Sequence, residues 1–203
     1  MAWIRTIAYD DAEGKLKKVY DKIKGADNYL DNILLVHSLR PHTLEGHMTL
    51  YKSVLHHSAN TFPKWYLELI GIYVSLLNQC DYCIEHHFQG LARQLKDEEL
   101  ALKYKRILDD DQIDSVLNSK EAAGLHYSRM LTLCPMEITD VDVNNFQEAG
   151  LNDEELLEIN QVAAYFNYAN RTVLGLGVNT EGDILGLSPN NTSDSDWRHS
   201  EVV

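Results

Sequence analysis

A chain of 203 residues, 44% hydrophobic and 24% charged, can bury one sizeable core, so a single domain, or one helical unit with tails, is expected. A formal net charge of −13 argues against nucleic acid or an anionic membrane surface as a partner, since both repel it. No apolar run is long and charge-free enough to span a bilayer, and Met1-Ala2-Trp3-Ile4-Arg5 lacks a signal peptide's apolar stretch, so a soluble cytoplasmic protein is expected.

The chain reads helical almost throughout. Leu16, Val19, Tyr20 and Ile23 recur at helical spacing and predict an amphipathic first helix ending near Gly25. Pro41 suits a first helical position, and Leu44, Met48, Tyr51 and Leu55 then share one face. Pro63 opens a helix whose stretch WYLELIGIYVSLL is apolar on nearly every side, which predicts a central, buried element. Asn78 to Asp81 allows a break before a helix carrying Ile84, His87, Phe88, Leu91 and Leu95. Asp97, Glu98 and Glu99 favour another helix start. After the polar stretch DDDQIDSVLNS, Ser119 is expected to cap a helix towards Leu133, stopped by Pro135. Gly150 reads as a stop, Asn152 with Glu155 as a capping box, and a long helix then runs to Gly175 and Gly177. Residues 1–187 are expected to form one all-α multi-helix bundle. Residues 188–203 are expected to be a polar tail, mobile or packed on a partner chain.

Cys80-Asp81-Tyr82-Cys83 is the strongest chemical signal. Three cysteines in a reducing compartment do not read as a disulfide framework, so a close pair there points to redox or metal chemistry. At a helix start, one thiol lies near unpaired backbone N–H groups and the positive dipole end, which favours the thiolate; the spacing lets either sulfur resolve an intermediate on the other. His87, four residues beyond Cys83, shares its face and can carry the thiol proton, whereas His86 points elsewhere. Glu68 is the only charge between Trp65 and Leu77. It either orients an imidazole or occupies a solvated edge of its helix.

Glu68, eleven intervening residues, the cysteine pair and then His87 resemble the signature E-x11-C-x-x-C-x3-H of the alkylhydroperoxidase D-like, carboxymuconolactone decarboxylase-like superfamily. The flanking stretches LRPHTLEGHMTLYKSVLHH and YFNYANRTVLGLGV are similar to its peroxidase-related branch, so the resemblance runs from the first helix to about residue 180. It implies an all-helical homo-oligomer that acts as a thiol peroxidase or disulfide reductase, on a hydroperoxide or disulfide substrate with a dithiol reductant. Cys83 would attack peroxide, Cys80 would resolve the sulfenic acid, His87 would relay protons and Glu68 would orient His87. No cofactor is implied. Tyr82 departs from the histidine that well-studied peroxidases of the superfamily carry between their cysteines.

Other readings stay open. A lactone decarboxylase of the same superfamily works without a cysteine pair, and the intact CDYC argues against it. A zinc site made by Cys80, Cys83, His87 and Glu68 has acceptable ligand types but crowds them onto few elements. An oligomeric binding protein whose thiols only sense oxidation is a fourth possibility. Among weaker features, His47 reads as a packing or surface residue that also fits a site wall. His56 and His57 read as dipole partners at a helix end, Arg171 as an ion-pair residue, Cys134 as an inert core thiol, and Tyr51 and Phe166 as core or interface.

Overall fold

The central element is the apolar helix around Glu68, and its burial organises everything else. The structure, a computed structural model, describes residues 2–189 and 195–200. Among these, nine α-helices run in order: α1 (Gly14–Ile23), α2 (Asn32–Leu35), α3 (Pro41–Leu55), α4 (Lys64–Leu77), α5 (Asp81–Leu95), α6 (Glu98–Asp109), α7 (Ser119–Leu133), α8 (Asp140–Glu148) and α9 (Asp153–Leu176). The strand content of the described residues is one antiparallel ladder, β1 (Ser188–Pro189) with β2 (His199–Ser200). The all-α fold class expected from the sequence is the one observed. No helix among the described residues is long and apolar enough to cross a membrane.

Helix α4 packs against α5, α7 and α9 and is buried on every side: Leu67, Leu69, Ile70, Ile72 and Val74 are wholly sequestered, each contributing ~1.5–3 kcal/mol. Gly71 is why α9 can come so close, since a Cβ there would overlap the Phe166 ring. The helix starts are set locally. Asn152 and Glu155 form the expected capping box on α9, and Asp97 caps α6 through Leu100 N–H. One start differs: Asn118, not Ser119, caps α7, because its side chain reaches Glu121 N–H while Glu121 returns a bond to the Asn118 backbone.

The C-terminal expectation needs correcting for its described part; residues 190–194 and 201–203 of that tail lie outside the described residues. Ser188 and Pro189 pair with 200 and 199, and the buried His199 reaches back to Asp31, with 2.6 Å between Nδ1 and Oδ2. A Cβ on Gly25 would overlap the His199 carbonyl, so that glycine admits the β2 backbone. The stretch reads polar, yet its histidine has a buried carboxylate waiting for it.

Candidate active site

Helices α4 and α5 form a tight hairpin. Gln79 takes a left-handed turn (φ 57°), Cys80 N–H bonds the Ser75 carbonyl, and the chain re-enters helix with Cys80 as its N-terminal cap. Cys83 therefore lies in the first turn, and the two sulfurs are 2.9 Å apart, hydrogen-bonded and unbridged. Both are buried. Val36, Val173 and Val178 pack round the pair, and the fully buried Asn170 sits beside it, bonding Ser75 and Asn78. The Cys83 thiol beside it lowers Cys80 below the ordinary thiol range, whereas burial pushes Cys83 well above it. The hydrogen bond between the sulfurs thus favours a thiolate on Cys80 first, with Cys83 holding the shared proton.

Glu68 projects from the middle of α4 towards α5, where its carboxylate accepts from His87 Nδ1 at 2.6 Å. Both side chains are largely buried, so the pair is shielded from water. The proton on Nδ1 fixes the tautomer and leaves Nε2 as the basic nitrogen. Phe166 meets the imidazole edge-on and braces it. Gly90 completes the fit: a Cβ there would stand 3.0 Å from the Glu68 carboxyl carbon, so only glycine leaves the carboxylate its full room against α5. Of the two readings of Glu68, the structure takes the buried, imidazole-bonded one.

Cys83, Glu68 and His87 line one cavity of about 50 Å³, whereas Cys80 borders the opposite side of the pair. The cavity's far wall comes from elements distant in sequence: His47 and Tyr51 on α3, Tyr165 on α9, Leu187 before β1 and His199 on β2. A polar network forms its floor. Tyr82 donates to Asp183 at 2.7 Å and accepts from Ile33 N–H, while Asp183 also accepts from Asn32 N–H and contacts His86 Nε2 at 3.2 Å. Asp31 accepts from Tyr29 and from His199. Tyr82, the departure within the CDYC motif, therefore ties the cysteine hairpin to α2 and to the chain before β1. Burial keeps its phenol protonated, so it remains a donor.

The four residues singled out in the sequence thus fall into two touching pairs, and Cys83, Glu68 and His87 share one cavity. Among the described residues, the metal-type ligand atoms that converge within 4.8 Å belong to Asp31, His86 and Asp183, not to the Cys80–Cys83–His87–Glu68 quartet. The converging trio is already knit by the donors just named. His86, expected to point elsewhere, lines the same cavity and stacks on Tyr82. His56 does end α3, but deep in the core rather than at a solvated terminus. Arg171 makes no ion pair among the described residues and instead bonds the backbone carbonyl and side chain of Asn167. The sequence reading does not reach Asp31, Asp183, Gly90 or His199; a glycine three residues after His87 is the signal that marks Gly90.

An all-helical bundle with a cysteine pair and a carboxylate–imidazole pair at one helix hairpin has the fold of the alkylhydroperoxidase D-like proteins. Solved structures bear this out. The alkylhydroperoxidase AhpD core, an uncharacterized peroxidase-related protein from Ralstonia eutropha JMP134, superposes with a TM-score of 0.72 at 19% identity, over 88% of this chain and 91% of that one. An uncharacterized peroxidase-related protein from Silicibacter sp. TM1040 gives 0.65 at 22% identity, over 74% and 78%. A variant of the debrominase Bmp8, in complex with 2,3,4-tribromopyrrole, gives 0.69 at 16% identity, over 87% and 90%. No family model and no curated protein matches the sequence.

Proposed function

We propose that this chain is a thiol-dependent peroxidase that reduces alkyl hydroperoxides through Cys83 and Cys80 and is reset by a dithiol. The observation that carries the reading is a cavity bordered by Cys83 and by the buried Glu68–His87 pair, with the Cys80 sulfur 2.9 Å from that of Cys83. His87 takes the first thiol proton, leaving a dithiol monoanion stabilised between the sulfurs. When the remaining proton passes from Cys83 to Cys80, the Cys83 thiolate attacks the terminal peroxide oxygen. The O–O bond breaks, Cys83 becomes a sulfenic acid, and the departing alkoxide takes the proton from His87 to leave as an alcohol. The Cys80 sulfur then displaces hydroxide from the sulfenic acid and its thiol proton completes a water, closing the disulfide. A dithiol reductant returns both cysteines to thiols and is itself oxidised to a disulfide. Cys83 is assigned the attack because it borders the cavity, and Cys80 the resolution because it lies behind. In keeping with the neighbouring folds we assign a homo-oligomer, with the exposed Leu133, Met136 and Val141 as candidate contact residues.

Thiol alkylation with mass spectrometry, before and after limiting peroxide, tests the scheme. Cys83→Ser abolishes peroxide consumption, and Cys80→Ser supports one round and stalls as a sulfenic acid. Normal turnover of Cys80→Ser with a dithiol removes its resolving role. Stoichiometric, tightly held zinc in the purified protein displaces the redox assignment altogether.

A further inference from the structure

Two ring nitrogens in this molecule pose a specific question. His47 Nδ1 and His199 Nε2 are buried, have no hydrogen-bond partner among the described residues, and belong to residues that line the Cys83 cavity. His37 and His56 also carry unpartnered buried nitrogens but do not line it. A buried polar atom left unpaired costs about 1–3 kcal/mol, so two of them on one cavity wall mark a place where a ligand supplies the missing bonds.

The charges on the same wall say which ligand. The cavity is lined by Asp31 and Glu68 and by no lysine or arginine among the described residues. The nearby Arg93 does not line it and spends its guanidinium on the Gln89 and Leu185 carbonyls. An anion entering here loses its hydration and meets carboxylates instead of a cation. Ile33, Leu187 and the rings of Tyr51 and Tyr165 add apolar surface to the lining, beside the imidazoles of His86 and His87.

We propose that His47 and His199 form the recognition wall for a small, uncharged hydroperoxide, and that hydroperoxides bearing a carboxylate are turned away by Asp31 and Glu68. The inference rests on the thiol-peroxidase reading and names its substrate class. His199, which gives its Nδ1 proton to Asp31, offers Nε2 as an acceptor, and His47 Nδ1 is a donor or an acceptor according to tautomer, which matches a hydroperoxide: one O–H to give and two oxygens to receive.

The test mixes reduced protein with tert-butyl hydroperoxide, with 3-hydroperoxy-3-methylbutanoate and with the methyl ester of that acid, following loss of alkylatable thiols over time. The unaltered protein reacts with the first and third, and with the carboxylate at least about 30-fold more slowly than with its ester. His47→Leu slows the reaction with tert-butyl hydroperoxide roughly 5- to 20-fold. His47→Asn, whose amide nitrogen falls near the position of Nδ1, restores most of it. A carboxylate that reacts as fast as its ester overturns the proposal and leaves the peroxidase reading standing, and so does a His47→Leu protein that keeps the full rate. If none of the three oxidises thiols that alkylate freely, the peroxidase reading fails first and takes this one with it. The acid–ester comparison uses the unaltered protein, so it decides the matter even where a variant does not fold.

Discussion

Glu68→Gln is the most informative single change. The glutamine is isosteric, fits the space left by Gly90, and still presents an oxygen to His87 Nδ1–H, so the 2.6 Å contact survives as a neutral hydrogen bond. What disappears is the carboxylate that, in the proposed reaction, stabilises the imidazolium formed when His87 takes the thiol proton. A hydrogen bond to a charged partner is worth ~1.5–3 kcal/mol and a neutral one ~1, so the deficit is about 1–2 kcal/mol. The second-order rate with tert-butyl hydroperoxide then falls roughly 5- to 30-fold. Rapid-quench alkylation of the reduced protein measures that rate, and thermal unfolding provides the control, with the midpoint staying within a few degrees. An unchanged rate takes Glu68 out of the chemistry. A collapsed melting temperature with proportionate loss of rate shows that the buried pair holds the fold rather than the proton.

Three further expectations follow from the same geometry. Tyr82→Phe removes the bond to Asp183 and leaves a buried carboxylate short of a donor, which costs about 1–3 kcal/mol and shows as a lower urea midpoint with the cysteines still able to bridge. Gly90→Ala presses on the Glu68 carboxyl group by a few tenths of an ångström and slows peroxide reduction more than it lowers the melting temperature; equal activity shows that α5 can yield there. Burial holds His47 at about 3, against 6.5 for an ordinary imidazole. Between those values the unfolded chain binds a proton that the folded chain refuses. Stability from this group is therefore whole above about pH 6.5 and is lost at ~1.4 kcal/mol per unit below it, or ~2 kcal/mol by pH 5. Burial displaces His37 and His56 in the same direction. Urea titrations at pH 7 and pH 5 measure the slope, which His47→Leu flattens.

The helical architecture was legible because its signals are local. Apolarity on every face of α4, the Asn152–Glu155 box and the Asp97 start each need only a few neighbouring residues to be read. The paired cysteines, Glu68 and His87 were legible because they sit on two consecutive helices at fixed spacing. The polar network beside them was not, since Asp31 meets Asp183 and His199 across some 150 residues or more of intervening chain and none lies in a periodic pattern. The order of thiol acidities was equally hidden. A dipole argument treats the first turn as one place, yet Cys80 caps the helix while Cys83 is driven up by burial. The CDYC tyrosine read as a departure from the histidine of well-studied peroxidases of the superfamily, and in the fold it bonds Asp183 and Ile33.

The carboxylate–imidazole pair at the hairpin and its counterpart at His199 are both walled in by protein, with side chains 15% exposed or less. Dissolved ions gather around charges they can approach, and neither pair leaves a gap for a chloride or a sodium to slip between its members. Proton traffic within such a chamber is insulated from the electrolyte outside. The proposed peroxide-consuming step should accordingly keep its pace from dilute buffer to molar sodium chloride, even on a molecule of net charge −13.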